Sequence, residues 1–262
     1  MNSLKRYRIT IWVLSLVIVI QGLFILALIR PRKIPKAIPP VVAVKGRIAV
    51  VLDDWGYNLN NLGLLEEIKY PLTISILPNL SYSKEVAEEA HSRGLEVILH
   101  LPMEPREKLR LEKNTIMSRM SKEAIKKILM QDLLDIPYVR GVSNHMGSAA
   151  TEDPKVMATV FGQLKKNGLY FLDSLVATRS VGSEIARNTG VKFTRRDVFL
   201  DNIQDPKYIK GQIFQLKAKA RMRGEAIGIG HDRKVTLEVL KEIMPQMSKE
   251  GYKFVFVSEL AK

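Results

Sequence analysis

From residue 47 onward, short runs of β-branched and aliphatic residues alternate with longer stretches in which apolar positions recur at helical spacing. The runs IAVVL (48–52), LTISIL (72–77), LEVIL (95–99), YVRGVS (138–143), LYFL (169–172), VKFTRRDVFL (191–200), EAIGIG (225–230) and YKFVFV (252–257) read as strands. Between them lie helical segments. In SKEVAEEAHSRG, Val86, Ala87 and Ala90 share one face, and Gly94 supplies the residue that can end a helix in a left-handed turn. In SKEAIKKILMQDLLDI, Ser121 is placed to cap the first turn, Glu123 follows it, and Ile125, Ile128, Leu129 and Leu133 form the apolar stripe. Strand and helix alternate about seven times, which predicts parallel strands joined by right-handed crossovers, with helices covering the sheet. Some eight strands in about 215 residues fit a distorted (β/α)7–8 barrel better than an open doubly wound sheet. No Gly-x-Gly-x-x-Gly follows the first strand, so a dinucleotide site is not expected.

Before residue 47 the pattern differs in kind. Ile9 to Ile29 is a stretch of 21 residues without charge, interrupted by Thr10, Ser15 and Gln21 alone. As a helix it is long enough to cross the ~30 Å hydrocarbon layer. A cleaved signal peptide usually has an apolar core of ~7–15 residues ending in a small-x-small site. Here the stretch is longer and runs straight into Arg30-Pro31-Arg32-Lys33, so an uncleaved single-pass anchor is expected. Lys5, Arg6 and Arg8 precede it, while Arg30, Arg32, Lys33 and Lys36 follow it, so the charge rule alone slightly favours the opposite orientation, with the following segment inside. A tail of eight residues before one span is the arrangement of a signal anchor, which places the body on the periplasmic or extracellular side. Pro31, Pro35, Pro39 and Pro40 exclude a regular helix after the span and predict a semi-rigid spacer. The expected organisation is a short basic tail (1–8), a transmembrane anchor (9–29), a Pro-rich basic linker (30–46) and a barrel domain (47–262).

Charge refines this picture. The 262 residues carry 41 Lys+Arg against 27 Asp+Glu, a net charge of +14 that raises nucleic acid as a partner. Nine of the basic residues and no acidic one lie at or before Arg47, leaving 32 against 27, or +5, for the rest. That is an ordinary globular surface, and no nucleic-acid partner is expected. A hydrophobic content of 46% supports a full core. The chain has no cysteine, which removes disulfides, iron–sulfur centres, thiolate zinc sites and a cysteine nucleophile. Any metal must sit on nitrogen and oxygen.

The candidate chemistry lies immediately after the strands. The first ends in Asp53-Asp54, the third in His100, the fourth in Asn144-His145, the fifth in Asp173-Ser174, the sixth in Asp201-Asn202 and the seventh in His231-Asp232. In a parallel barrel all these ends share one face, and sites are built there. Each residue has a bland alternative: the aspartates could cap helices or turns, and a histidine could be a core residue satisfied by backbone. Helix capping does not account for three of the four histidines standing at equivalent ends. The fourth, His91, lies in a charged helix and reads as a surface residue. Imidazoles and a carboxylate suit Zn²⁺ or another divalent first-row metal. A second carboxylate could take a proton from water and a further histidine could protonate a leaving group, which together describe metal-assisted hydrolysis of an amide or ester. A glycosidase using paired carboxylates would leave His100 and His145 without a role.

At VVLDDWGYN, LEVILHLPMEP, GVSNHMGSAAT, LYFLDS, VFLDN and AIGIGH, the chain resembles the divergent polysaccharide deacetylase family, also called the YibQ family. The match runs in order through nearly all of residues 47–260. The resemblance implies kinship with NodB-type carbohydrate esterases: a distorted (β/α)7 barrel that removes acetyl groups from sugar polymers with a divalent metal, commonly zinc. It implies Asp53 as general base, Asp54 as metal ligand, His100 as a second ligand, and His231 as acid toward the leaving group, with Asp173 and Asp201 orienting or tuning that histidine. The larger family places two metal-binding histidines four residues apart. Here the fourth residue after His100 is Glu104, so the third ligand is either Glu104 or His145. His145 is the expected one, being on the same barrel face and of the commoner ligand type. Arg195 and Arg196 could meet a carboxylated sugar, though solvation or packing of their stems is the simpler reading. The expected function is a membrane-anchored, metal-dependent deacetylase acting on a carbohydrate polymer of the cell envelope. The alternative is a glycan-binding or envelope-organising protein that keeps the barrel without turnover. An intracellular amidohydrolase is disfavoured, because its His-x-His after the first strand is absent.

Overall fold

The structure, a computed structural model, describes residues 3–29 and 44–262. The linker expected over 30–46 falls mostly outside the described residues. Two units divide the chain between Val41 and Val42. The first holds helix α1 (Ser3–Ile29), which is 27 residues and therefore about 40 Å long. Its most apolar 18-residue window is apolar on every face, with a mean hydropathy of 2.7, so the helix is long and apolar enough to cross a membrane. The helix begins inside the basic tail, since nothing in Lys5, Arg6 and Arg8 interrupts helical geometry and the Thr10 hydroxyl donates back to the Arg6 carbonyl.

In the second unit, strands β1 (Gly46–Trp55), β2 (Thr73–Ile76), β3 (Glu96–Met103), β4 (Val139–Met146), β5 (Tyr170–Asp173), β6 (Phe193–Arg195), β7 (Val198–Phe199), β8 (Glu225–His231) and β9 (Tyr252–Phe254) form one sheet. The spatial order is β6-β5-β4-β3-β2-β1-β8-β7, every pair is parallel, and β9 pairs with the start of β1. The crossovers carry α2 (Leu62–Glu67), α3 (Ser83–Ser92), α4 (Lys122–Asp135), α5 (Pro154–Asn167), α6 (Gly182–Thr189), α7 (Pro206–Arg223) and α8 (Lys234–Lys249). The alternation predicts such a parallel sheet wrapped by helices, and an incomplete, distorted barrel is what the resemblance implies.

Local chemistry sets the element ends. Ser121 accepts from the Ala124 amide to open α4, and Asp153 caps α5 with Pro154 in its first turn. Period two divides each strand. Ile48, Val50 and Leu52 face outward into the main core with the helices, whereas Ala49, Val51, Ile98, Tyr170, Leu172, Ile227 and Ile229 fill the interior. Gly141 lies under the Tyr170 ring, and a Cβ there would stand 2.4 Å from it.

Two expectations are corrected. The run 191–200 is two short strands: Arg196 N still bonds Asp173 O beside β5, while Asp197 N bonds Ile227 O beside β8. One extended segment thus supplies both edges of the sheet. The run 252–257 pairs with β1 only through Phe254; beyond it Val255, Val257, Leu260 and Ala261 pack into the barrel interior, and Lys262 exchanges backbone hydrogen bonds with Phe193. The C-terminal segment therefore plugs the amino end of the barrel and leaves the carboxyl end for a site.

Candidate metal and catalytic site

Along a regular strand successive side chains face opposite sides, so Asp53 and Asp54 should not both reach the barrel mouth. A bulge changes this. The β1–β2 pairing slips between Leu52 and Trp55, and Asp54 takes a left-handed φ of 67°. Both carboxylates are thereby aimed inward at the end of one strand.

Period two then carries His100 above Ile98 on β3, and His145 above Ser143 on β4. The ladder pairs His100 with Ser143 and Pro102 with His145, which leaves the two rings edge to face with centroids 4.9 Å apart. Asp54 Oδ1 lies 3.3 Å from His100 Nε2 and 3.0 Å from His145 Nδ1. The ligand atoms of Asp54, His100 and His145 all fall within 4.8 Å of one another. Asp54 Oδ1 is buried yet accepts no hydrogen bond from either ring, and His145 Nε2 is also unpartnered. Electron-pair donors that crowd one point without bonding each other fit a divalent cation, and two imidazoles with one carboxylate suit the zinc class. Burial would raise the Asp54 carboxyl, but His100 and His145 outweigh it and hold it well below the usual carboxylate range.

Asp53 is 2% exposed. Burial pushes its carboxyl up, only partly opposed by His100, whose Nδ1 stands 3.7 Å from Oδ1. That oxygen has no hydrogen-bond partner. Across the β1–β8 ladder the residue opposite Asp53 is His231. His231 Nδ1 is 2.7 Å from Asp201 Oδ1, while Asp201 Oδ2 accepts from the His231 amide and the Thr236 hydroxyl at 2.9 and 2.6 Å. Burial lowers the His231 imidazole, but the Asp201 carboxylate more than compensates and raises it. Nε2 is left as the nitrogen free for chemistry.

The remaining sequence candidates separate. Asp173 accepts from the Ser180 hydroxyl at 2.5 Å and the Leu175 amide at 2.7 Å, which closes its own loop rather than touching His231. Glu104 accepts from the Ser118 amide at 2.6 Å and stays outside the Asp-His-His cluster. Arg196 packs 3.6 Å above the Phe199 ring and donates to the carbonyls of Ser174 and Leu175. Phe199 in turn stacks on His231, with centroids 6.0 Å apart. His91 is exposed and stacks on Tyr138.

Residues not singled out from the sequence also frame the site. Ser143 and Ser75 lie directly beneath His100, and Thr236 buttresses Asp201. The signal for the serines was available: each is a polar residue flanked by aliphatic ones, Ser75 by Ile74 and Ile76 and Ser143 by Val142. Tyr57 donates to Glu112 at 2.5 Å, joining the loop after β1 to the loop after β3, a long-range pairing that carries no sequence signature.

Residues 50–261 match the divergent polysaccharide deacetylase family. The protein YibQ of Escherichia coli K12 is 37% identical over 205 residues, covering 78% of this chain; the matched part spans 64% of the length of YibQ. An uncharacterized protein from Agrobacterium tumefaciens C58 superimposes with a TM-score of 0.80 at 21% identity, over 84% of this chain and 90% of that one. The catalytic domain of a peptidoglycan N-acetylglucosamine deacetylase from Eubacterium rectale does so with a TM-score of 0.50 at 14% identity, over 80% and 87%. At these identities the solved structures speak for the fold, and the family match for kinship: the chain belongs to the divergent polysaccharide deacetylase family.

Proposed function

We propose that the barrel is a metal-dependent hydrolase that removes acetyl groups from a carbohydrate polymer of the cell envelope. The observation that carries this reading is the convergence of Asp54 Oδ1, His100 Nε2 and His145 Nδ1, with Oδ1 buried and unpartnered. These three residues hold the divalent ion, which when bound supplies Lewis acidity toward an acyl carbonyl and makes water more acidic. Asp53 is the general base. Its free Oδ1 takes a proton from water as the water oxygen adds to the acyl carbon, and its burial-raised carboxyl suits it to hold that proton. His231 is the general acid. With Nδ1 fixed by Asp201, Nε2 gives its proton to the departing sugar nitrogen or oxygen as the acyl bond breaks, yielding acetate and the free amine or hydroxyl. Asp173 keeps the loop after β5 in shape.

In this reading residues 47–262 are the catalytic domain, 30–46 a spacer, and α1 a single-pass anchor that leaves the domain on the periplasmic or extracellular side. The test is acetate release from a panel of N- and O-acetylated glycans by the Zn²⁺-loaded protein, with Asp53→Asn as control. Release is expected, and the control should lose ~10²–10⁴-fold. A protein that binds Zn²⁺ and glycan but frees no acetate would replace turnover with a binding role.

A further inference from the structure

Beneath the candidate ligands, the barrel interior holds two serines, with Ile98 opposite Ser75 and Leu172 opposite Ser143 on neighbouring strands. Ser143 on β4 and Ser75 on β2 are both fully buried. His100 Nδ1 is 2.7 Å from Ser143 Oγ, and Ser143 Oγ is 2.8 Å from Ser75 Oγ. A buried hydroxyl costs free energy unless it is hydrogen-bonded, and alanine would occupy either position without that cost. The two hydroxyls satisfy each other and one ring nitrogen, and that nitrogen belongs to a candidate ligand.

Resting on the metal-holding reading above, we propose that Ser143, backed by Ser75, is the positioning residue that fixes the His100 tautomer and ring angle for the metal. An imidazole can present a lone pair at Nε2 only while its proton sits on Nδ1. Ser143 Oγ accepts that proton at 2.7 Å, its own O–H turns to Ser75, and Nε2 is left aimed at the point where Asp54 Oδ1 converges. The pair works as a hydrogen-bond seat that holds the ring plane and favours the proton on Nδ1. Outer partners of this kind typically change metal affinity by ~10–100-fold when removed.

The experiment uses the full chain in detergent, with Zn²⁺ affinity read by competition against a chromophoric chelator. Ser143→Ala should weaken Zn²⁺ by ~10–100-fold. Ser75→Ala should weaken it less, and Ser143→Thr, which keeps the hydroxyl, should restore most of the loss. Imidazole nitrogen shifts from long-range ¹H–¹⁵N spectra give a readout that packing alone would not move. Zn²⁺-loaded wild type should carry the His100 proton on Nδ1, and Ser143→Ala should lose the single well-defined tautomer before metal is added. Wild-type affinity and an unchanged tautomer in Ser143→Ala would overturn the positioning role while leaving the ligand set intact. Wild-type protein that takes up no Zn²⁺ would instead overturn the ligand set itself, and the positioning role with it.

Discussion

Replacing Asp201 by asparagine should disable His231 without removing it. The carboxylate is fully buried, with Oδ1 facing His231 Nδ1 at 2.7 Å and Oδ2 accepting from the His231 amide and the Thr236 hydroxyl. Asparagine has one acceptor. If it stays with the amide and hydroxyl, the new NH₂ group points at Nδ1, which must then present a lone pair, so the doubly protonated ring is disfavoured and Nε2 carries only the proton of a neutral imidazole, a far weaker acid. Losing the carboxylate beside a catalytic histidine costs about 10⁴ in kcat when a triad aspartate becomes asparagine. A loss of ~10²–10⁴ is expected here if His231 is the general acid. The pH profile carries a second, independent sign. His231 is raised in the folded protein by Asp201, so its acid form persists to higher pH than a free imidazole allows. Asp201→Asn should bring the alkaline limb of kcat/KM down in pH. Stability follows the same pair: its contribution from His231 is full below about pH 6.5 and lost as pH rises through the raised value. Its contribution from Asp201 is present above about pH 4 and lost as pH falls through the lowered value. The variant should therefore lose most stability between about pH 4 and 6.5. The assay is a pH–rate profile with acetate as the readout, beside an NMR titration of His231. An unchanged rate together with an unchanged alkaline limb would refute the acid role.

Asp132 offers a prediction away from the site. Burial pushes its carboxyl up to about 6, against its hydrogen bond from Asn79. The stabilising contribution is full below about pH 4 and lost as pH rises through 6, by up to ~3 kcal/mol. Asp132→Asn keeps the acceptor for Asn79 and should flatten that fall in urea unfolding; identical pH dependence in variant and wild type would contradict it. Gly141→Ala places a Cβ 2.4 Å from the Tyr170 ring, whose hydroxyl is tied to Glu96 at 2.9 Å. Such overpacking should cost ~1–3 kcal/mol by chemical denaturation, and a loss within ~0.5 kcal/mol, the range of neutral surface changes, would mean that the ring can move aside.

Much of the fold was legible because burial writes a period into the chain. Eight apolar runs of strand length, separated by helical stripes, leave few arrangements other than a parallel sheet wrapped by helices. The histidines at strand ends then shared a face by topology alone. What escaped was contact between residues distant in sequence. The run 191–200 has one continuous β pattern, and nothing in it marks Arg196 and Asp197 as the place where the partner changes from β5 to β8. The C-terminal run reads as a strand because Val255 and Val257 are buried, yet after the last bond to β1, from Val255 N to Ile48 O, the chain is buried as a plug rather than in a ladder. Asp173 and Asp201 look alike in sequence, each following an aliphatic strand. Only the crossing distances separate them: one closes a loop on Ser180, and the other reaches His231.

The arrangement of ligands has a structural logic. A pair of histidines four residues apart takes its geometry from a single segment. His100 and His145 instead come from adjacent strands, so their separation is fixed by the β3–β4 ladder and by the Gly141, Ser143, His145 alternation. Strand β1 adds Asp54 only because a bulge and a left-handed residue turn it inward beside Asp53. The proposed proton-handling groups stand on the other side of the same strand, with Asp53 opposite His231 across the β1–β8 ladder. One bulged strand thus holds the carboxylate of the candidate metal cluster and the carboxylate that faces His231. Moving a ligand from β3 to β4 leaves that division untouched, because Asp53, Asp54 and His231 take their places from β1 and β8. This is why a barrel whose second metal motif is rearranged can still gather the proposed base, metal-binding group and acid at one mouth.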